Sequence, residues 1–159
     1  MNKGLQYFAI AVVVVAVVLV AFYALSGSAS VNPGYNGTKP GTCTGTSTST
    51  CTGPSYNHSN GNLSIQLMQS SGSNWTSASL VFVPAGTAFS GGTPEVSWSN
   101  SASVSGGLLT GVSRSVKVPV SGPVSIGSHV SGTVWAQYQI TSGGTVYYAQ
   151  LATFDGYAG

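Results

Sequence analysis

Charge is what this sequence lacks most. Lys3, Lys39, Arg114, Lys117, Glu95 and Asp155 are its only Lys, Arg, Asp and Glu residues, 4% of the chain against about 25% in an ordinary globular protein. With a net charge of +2 and no cluster of cations, there is no basic stripe to displace counterions, which excludes nucleic acid as a partner. Two carboxylates are also a poor basis for hydrolysis. A glycosidase needs a pair opposed at a defined separation, and nothing in the sequence places Glu95 and Asp155 together. Asp155 lies in FDGYAG, where Asp-Gly reads as a turn. His58 and His129, the only histidines, read as surface or turn residues. There is no G-x-S-x-G elbow, phosphate loop or dinucleotide fingerprint. Both cysteines precede the strand-rich region, which rules out a blue-copper arrangement of Cys, His and Met. The chain is therefore expected to be neither an enzyme nor a carrier of a cofactor or metal.

Hydroxyls and backbone take the place of charge. Ser and Thr number 41 and Gly adds 22. A glycan-coated or tightly assembled surface would tolerate this composition. So would an acidic medium, where carboxylates titrate but hydroxyls do not.

Apolar residues are concentrated near the start. Residues 5–25 read LQYFAIAVVVVAVVLVAFYAL, which as a helix would run roughly 31 Å and match a bilayer core. Every face is apolar, unlike an amphipathic helix on a soluble core. In lipid the valines should still be helical, because the backbone must satisfy itself internally. Tyr7 and Tyr23 suit the two interfaces, and Lys3 before the run puts Met1 on the cytoplasmic side. A cleaved secretory signal is the competing reading, but the run exceeds the usual length of such segments.

Residues 26–61 are rich in Ser, Thr and Gly and poor in apolar side chains, so they read as an irregular stalk. Cys43 and Cys51 bracket TGTSTST within it. Outside the cell a disulfide between them is the default, and in a stalk its loss should cost the following domain little. Metal binding by these cysteines with His58 lacks further ligands and suitable spacing. Asn36, Asn57, Asn62 and Asn74 each begin an N-x-S/T sequon and are glycosylation candidates. Asn36 and Asn57 are expected to be the most accessible.

From residue 62 to 159 the pattern changes to period two. Leu63, Ile65 and Leu67 alternate with polar neighbours, Leu80 and Phe82 follow, and Val96 with Trp98 forms a short run. Val112, Val116, Val118 and Val120 share a face with Arg114, and Pro119 lacks a donor, which suggests an edge strand. Val134, Ala136, Tyr138 and Ile140 share another face before Ser142-Gly143-Gly144. Val146, Tyr148, Ala152 and Phe154 continue the alternation on the return, interrupted by Gln150: a β-hairpin. About six to seven strands with Gly, Ser and Pro turns predict an Ig-like β-sandwich, with Trp75, Trp98, Trp135 and the Tyr-rich hairpin filling its core and inter-strand surfaces.

Met1-Asn2-Lys3-Gly4, followed at once by the apolar run from Leu5, resembles the class III leader of archaeal type IV pilin-like proteins, a family of pilins and archaellins. The downstream GTVWAQYQI and its paired YYAQLATF strand are similar to the β-sandwich heads of that family. The resemblance implies a leader peptidase that recognises Lys3 and Gly4 and leaves Leu5 as the mature N-terminus. It also implies that residues 5–25 pack against identical subunits in a helical filament after leaving the membrane lipid.

Two functions therefore compete. One is a structural subunit of an extracellular pilus- or archaellum-like filament serving adhesion or motility. The other is a membrane-tethered extracellular β-sandwich that binds as a monomer, which the long stalk favours.

Overall fold

The computed structural model describes residues 41–120, 122 and 124–159. The expected leader over 1–4, the helix over 5–25, the start of the stalk and Asn36 lie outside the described residues. Among the described residues the fold is β, apart from one 3-10 turn at Trp98–Asn100.

Ten strands follow in order: β1 (Thr42–Gly45), β2 (Ser49–Asn57), β3 (Asn62–Gln69), β4 (Ser77–Pro84), β5 (Phe89–Ser90), β6 (Thr93–Pro94), β7 (Ala102–Val104), β8 (Arg114–Pro119), β9 (His129–Gln139) and β10 (Tyr147–Tyr157). They form a five-stranded sheet in the order β1-β10-β9-β4-β7, a three-stranded sheet in the order β2-β3-β8, and a small β5-β6 ribbon. All the ladders are antiparallel. One apolar cluster draws on both large sheets, giving a sandwich-like domain.

The period-two runs account for its centre. Leu63, Ile65 and Leu67 of β3 are buried, as are Val116 and Val118 of β8. β8 is an edge strand, as the placement of Arg114 and Pro119 predicted. Phe82 of β4 and Phe154 of β10 meet edge-on at 6.4 Å, and Gly132 of β9 is in register between their strands. A Cβ at Gly132 would come within 2.3 Å of the Val83 carbonyl oxygen and 2.6 Å of the Phe82 ring. Only glycine lets the two rings approach there.

The β9–β10 hairpin forms as expected, with Gly143 at φ +72° in its loop. The interruption near Gln150 is a β-bulge between Gln150 and Ala152. Leu151 and Ala152 are consequently both buried. The bulge also reverses the expected alternation: Tyr148 pairs with Gln137 on the outer face, whereas Ala152 pairs with Val134 on the inner one.

Three other expectations need correction. The stalk over 26–61 does not remain irregular to its end, since Thr42–Asn57 contributes β1 and β2. Val96 and Trp98 form no strand; the chain there enters the 3-10 turn after Pro94 ends its ribbon. Asp155 lies inside β10 rather than in a turn, because the strand runs on through Gly156 to Tyr157.

The first of these changes the meaning of the disulfide. Cys43 and Cys51 are bonded, with Cα atoms 5.5 Å apart, and they join β1 at an edge of one sheet to β2 at an edge of the other. Cys51 is buried and Cys43 packs against the core. The corner between them is closely built. A Cβ at Gly45 would lie 2.1 Å from the Ser49 carbonyl oxygen. The buried Ser49 hydroxyl donates to the Leu151 carbonyl at the bulge and accepts from the Thr46 N–H at 3.2 Å. This disulfide is a clamp between sheets.

Two stability predictions follow from this packing. A Cys43→Ser/Cys51→Ser variant should lose about 2–3 kcal/mol, lowering Tm by roughly 10 °C; thermal unfolding measures it, and an unchanged Tm would refute the clamp. The buried Tyr56 hydroxyl has no hydrogen-bond partner among the described residues, and burial raises its pKa above the ordinary 10.0. The native state therefore keeps that proton to higher pH than the unfolded chain does. Stability should hold below pH 10 and fall between there and the raised native value. Tyr56→Phe should gain about 1–2 kcal/mol at neutral pH and soften the alkaline fall, read from denaturant titrations at several pH values.

Candidate functional site

Strand parity decides which side chains leave the core. Along β9, Val130, Val134 and Ala136 are buried, so Thr133, Trp135, Gln137 and Gln139 stand on the outer face of the five-stranded sheet. Their cross-strand partners are Val83, Val81, Ser79 and Ser77 on β4, and Thr153, Gln150 and Tyr148 opposite the first three on β10. The segment between β4 and β7 returns over this face. Phe89 lies 5.6 Å from Trp135 and Trp98 lies 5.4 Å from Tyr148, both as ring-centroid distances. Trp98 and Trp135 therefore line the outside of the sheet instead of filling the core; of the three tryptophans only Trp75 is buried.

Polar contacts hold these rings. The Trp135 indole N–H donates to the Thr133 hydroxyl at 3.0 Å. Gln137 Nε2 makes a long 3.4 Å contact with the Tyr148 hydroxyl, and Gln150 Nε2 lies 3.3 Å from the Thr153 hydroxyl. Gln139 is more firmly held: its Oε1 accepts from Ser77 at 3.1 Å and its Nε2 donates to the Gly144 carbonyl at 2.7 Å. Two shallow grooves lie along this sheet. One, about 270 Å³, is lined by residues including Val83, Phe89, Thr133, Thr153, Phe154 and Asp155. The other, about 210 Å³, is lined by Ser77, Ser79, Gln137, Tyr138, Gln139 and Val146.

A second aromatic group closes the hairpin end of the core. Trp75 stacks on Tyr138 with centroids 3.7 Å apart, and Tyr138 stacks on Tyr147 at 5.6 Å. Burial, and then the neighbouring Tyr147, raise the Tyr138 pKa. The loop beneath is organised by the buried Gln69. Its Oε1 accepts from the Ser71 N–H and hydroxyl, while its Nε2 reaches the carbonyls of Ser73 and Leu108 and the Thr110 hydroxyl. The Ser71 hydroxyl in turn accepts the Trp75 indole N–H at 3.1 Å. This is a neutral polar network, each member oriented by the next.

The ionisable residues remain dispersed. His129 Nε2 sits 3.1 Å from Asp155 Oδ1, with both side chains at least half exposed; such a pair contributes about 0–1 kcal/mol. His58 Nδ1 contacts the Gly159 carbonyl at 2.8 Å. No group of three or more His, Cys, Asp or Glu residues gathers among the described residues. Nor is any described helix long and apolar enough to cross a membrane. Lys3, Gly4 and Leu5 lie outside the described residues.

Three sequons can be located. Asn57 and Asn74 are exposed, and their side-chain carbonyls accept from the backbone N–H groups of Ser59 and Thr110. Each amide nitrogen, where a glycan would attach, is left out of those bonds. Asn62 is half-buried in β3 and paired on both sides, with Asn57 and Pro119. Glycopeptide mapping should therefore find occupancy at Asn57 and Asn74 and a bare Asn62. An occupied Asn62 beside two bare exposed sites would contradict the placement.

No family model, curated protein or solved structure matches this chain.

Proposed function

We propose that this protein is a structural subunit of an extracellular type IV pilus- or archaellum-like filament, serving surface adhesion or motility. The observation that carries this reading is the short interval between the apolar run and the first strand. The run ends at Leu25, and the folded domain begins by Thr42. A long free stalk favoured a tethered receptor, and the later part of that stalk carries β1 and β2. A short connection suits a subunit whose helix packs in a fibre while its head coats the outside. The disulfide suits an oxidising compartment outside the cytoplasm.

The head is Ig-like in this reading. β2, β3 and β8 correspond to strands A, B and E of an immunoglobulin sandwich; β4, β7, β9 and β10 correspond to C, C′, F and G. The pairings A-B, B-E, C-C′, C-F and F-G all have counterparts in the two sheets. β1 is an addition, placed beside β10 before the chain crosses to β2.

The tethered-monomer reading keeps one observation in its favour, the exposed aromatic face on the five-stranded sheet. Leader processing separates the two. Surface filaments should contain this chain beginning at Leu5, and Gly4→Val should leave uncleaved protein in the membrane with no filament incorporation. N-terminal sequencing of sheared surface material makes the measurement. Uncleaved protein confined to detergent extracts would overturn the filament reading.

A further inference from the structure

The outer face of the five-stranded sheet combines exposed rings with neutral hydrogen-bonding groups. Phe89 is 52% exposed and Tyr148 40%, a cost that packing alone does not explain for large aromatics grouped on one face. Around them, rows across β4, β9 and β10 set hydroxyls and amides among the apolar groups. Thr133 lies between Val83 and Thr153, Trp135 neighbours Gln150, and Gln137 lies between Tyr148 and Ser79. The strands of this patch carry no Lys or Arg. Their only ionisable side chains besides tyrosine are His129 and Asp155, which are paired with each other near one end of the hairpin.

That chemistry selects a ligand. An anion or a charged headgroup would find no cation on these strands. An acyl chain or an apolar protein patch would bury the amides of Gln137 and Gln150 against groups that cannot bond them, at a penalty for each. A pyranose offers the matching alternation. Its axial C–H faces carry partial positive charge and lie against the negative faces of aromatic rings, while its hydroxyls both donate and accept, as primary amides do. Each groove, at about 270 and 210 Å³, is smaller than the roughly 300 Å³ and upward of drug-sized sites, a scale suited to single sugar rings, one beside Phe89 and the other beside Gln137. Trp135 is held in advance by Thr133 and Phe89, so little side-chain entropy is lost on contact.

We infer that this face, between the Phe89–Trp135 and Trp98–Tyr148 pairs, is a binding site for neutral glycan chains. The site would serve a filament head or a tethered domain alike, so its failure would leave the leader-processing result untouched.

The test uses the full chain in detergent micelles, titrated calorimetrically with maltohexaose, mannohexaose and cellohexaose, and with polygalacturonate as an acidic comparison. At least one neutral oligosaccharide should bind, and Trp135→Ala and Tyr148→Ala should each weaken it tenfold or more. Ile126→Ala, at an exposed turn position that lines neither groove, should bind as the wild type does. Circular dichroism melts identify a variant that fails to fold, and Gln137→Ala, a truncation of a surface amide, then substitutes for it with an expected threefold or greater loss. A parallel titration with the chain's own Asn-linked glycopeptides decides the source, because preference for them would make the ligand a neighbouring subunit's glycan. Either source upholds the assignment. Binding to polygalacturonate alone, equal affinity in all folded variants, or no binding by any probe would overturn it. So would variants that dissociate subunits from one another while no glycan binds, since the face would then be an interface between copies.

Discussion

The inner faces of the two sheets meet through Phe82, Phe154, Leu63, Ile65, Leu67 and Val134, and no ion pair reinforces that contact among the described residues. Burial of each large side chain contributes about 1.5–3 kcal/mol. Its direction must come from shape and neutral hydrogen bonds, since there are few charges to steer it. Gly132 makes room for the two phenylalanines, Ser49 ties the domain's first corner to the bulge at Leu151, and Gln69 gathers the carbonyls of the opposite loops. Each is a specific neutral interaction in a place where another protein could use a salt bridge.

The strands that period two revealed are those with a run of alternate apolar residues on the inner face. β3, β4 and the β9–β10 hairpin have that property, and so were legible from Leu63, Leu80 and Val134 onward. β1 and β2 were not. The buried positions of β2 are Ser49, Cys51 and Tyr56, one of them a hydroxyl and one a half-cystine. The register shift between Thr52 and Ser55 then changes the parity. Without an apolar alternation, Thr, Ser and Gly read as a stalk, although Thr is a good strand former. The disulfide partners were legible because there were only two cysteines, but the role of the bond was hidden with the strands.

The aromatic face was half legible. Trp135 is out of phase with Val134 and Ala136, so alternation already turns it away from the core. Phe89 and Trp98 carried no such signal, because they come from a short ribbon and a 3-10 turn whose path over the sheet depends on tertiary packing. The reversal at the bulge hid Tyr148 as well, since an uninterrupted strand would have put it with Ala152. A few out-of-register aromatics in a Ser- and Gly-rich segment are thus a poor guide until the ladders are known.

The clamp near the start of the domain also determines how this fold would carry load. A pull arriving from the preceding chain enters at β1, and Cys43 is only its second residue. From there the force divides, along the backbone into the ladder with β10 and through sulfur into β2 and the other sheet. Peeling β1 from its neighbour would therefore release almost no slack, because the chain between Cys43 and Cys51 is bypassed by the covalent link. Extension would require both layers to yield together, which makes the weakest-looking strand of the domain a stiff point of attachment.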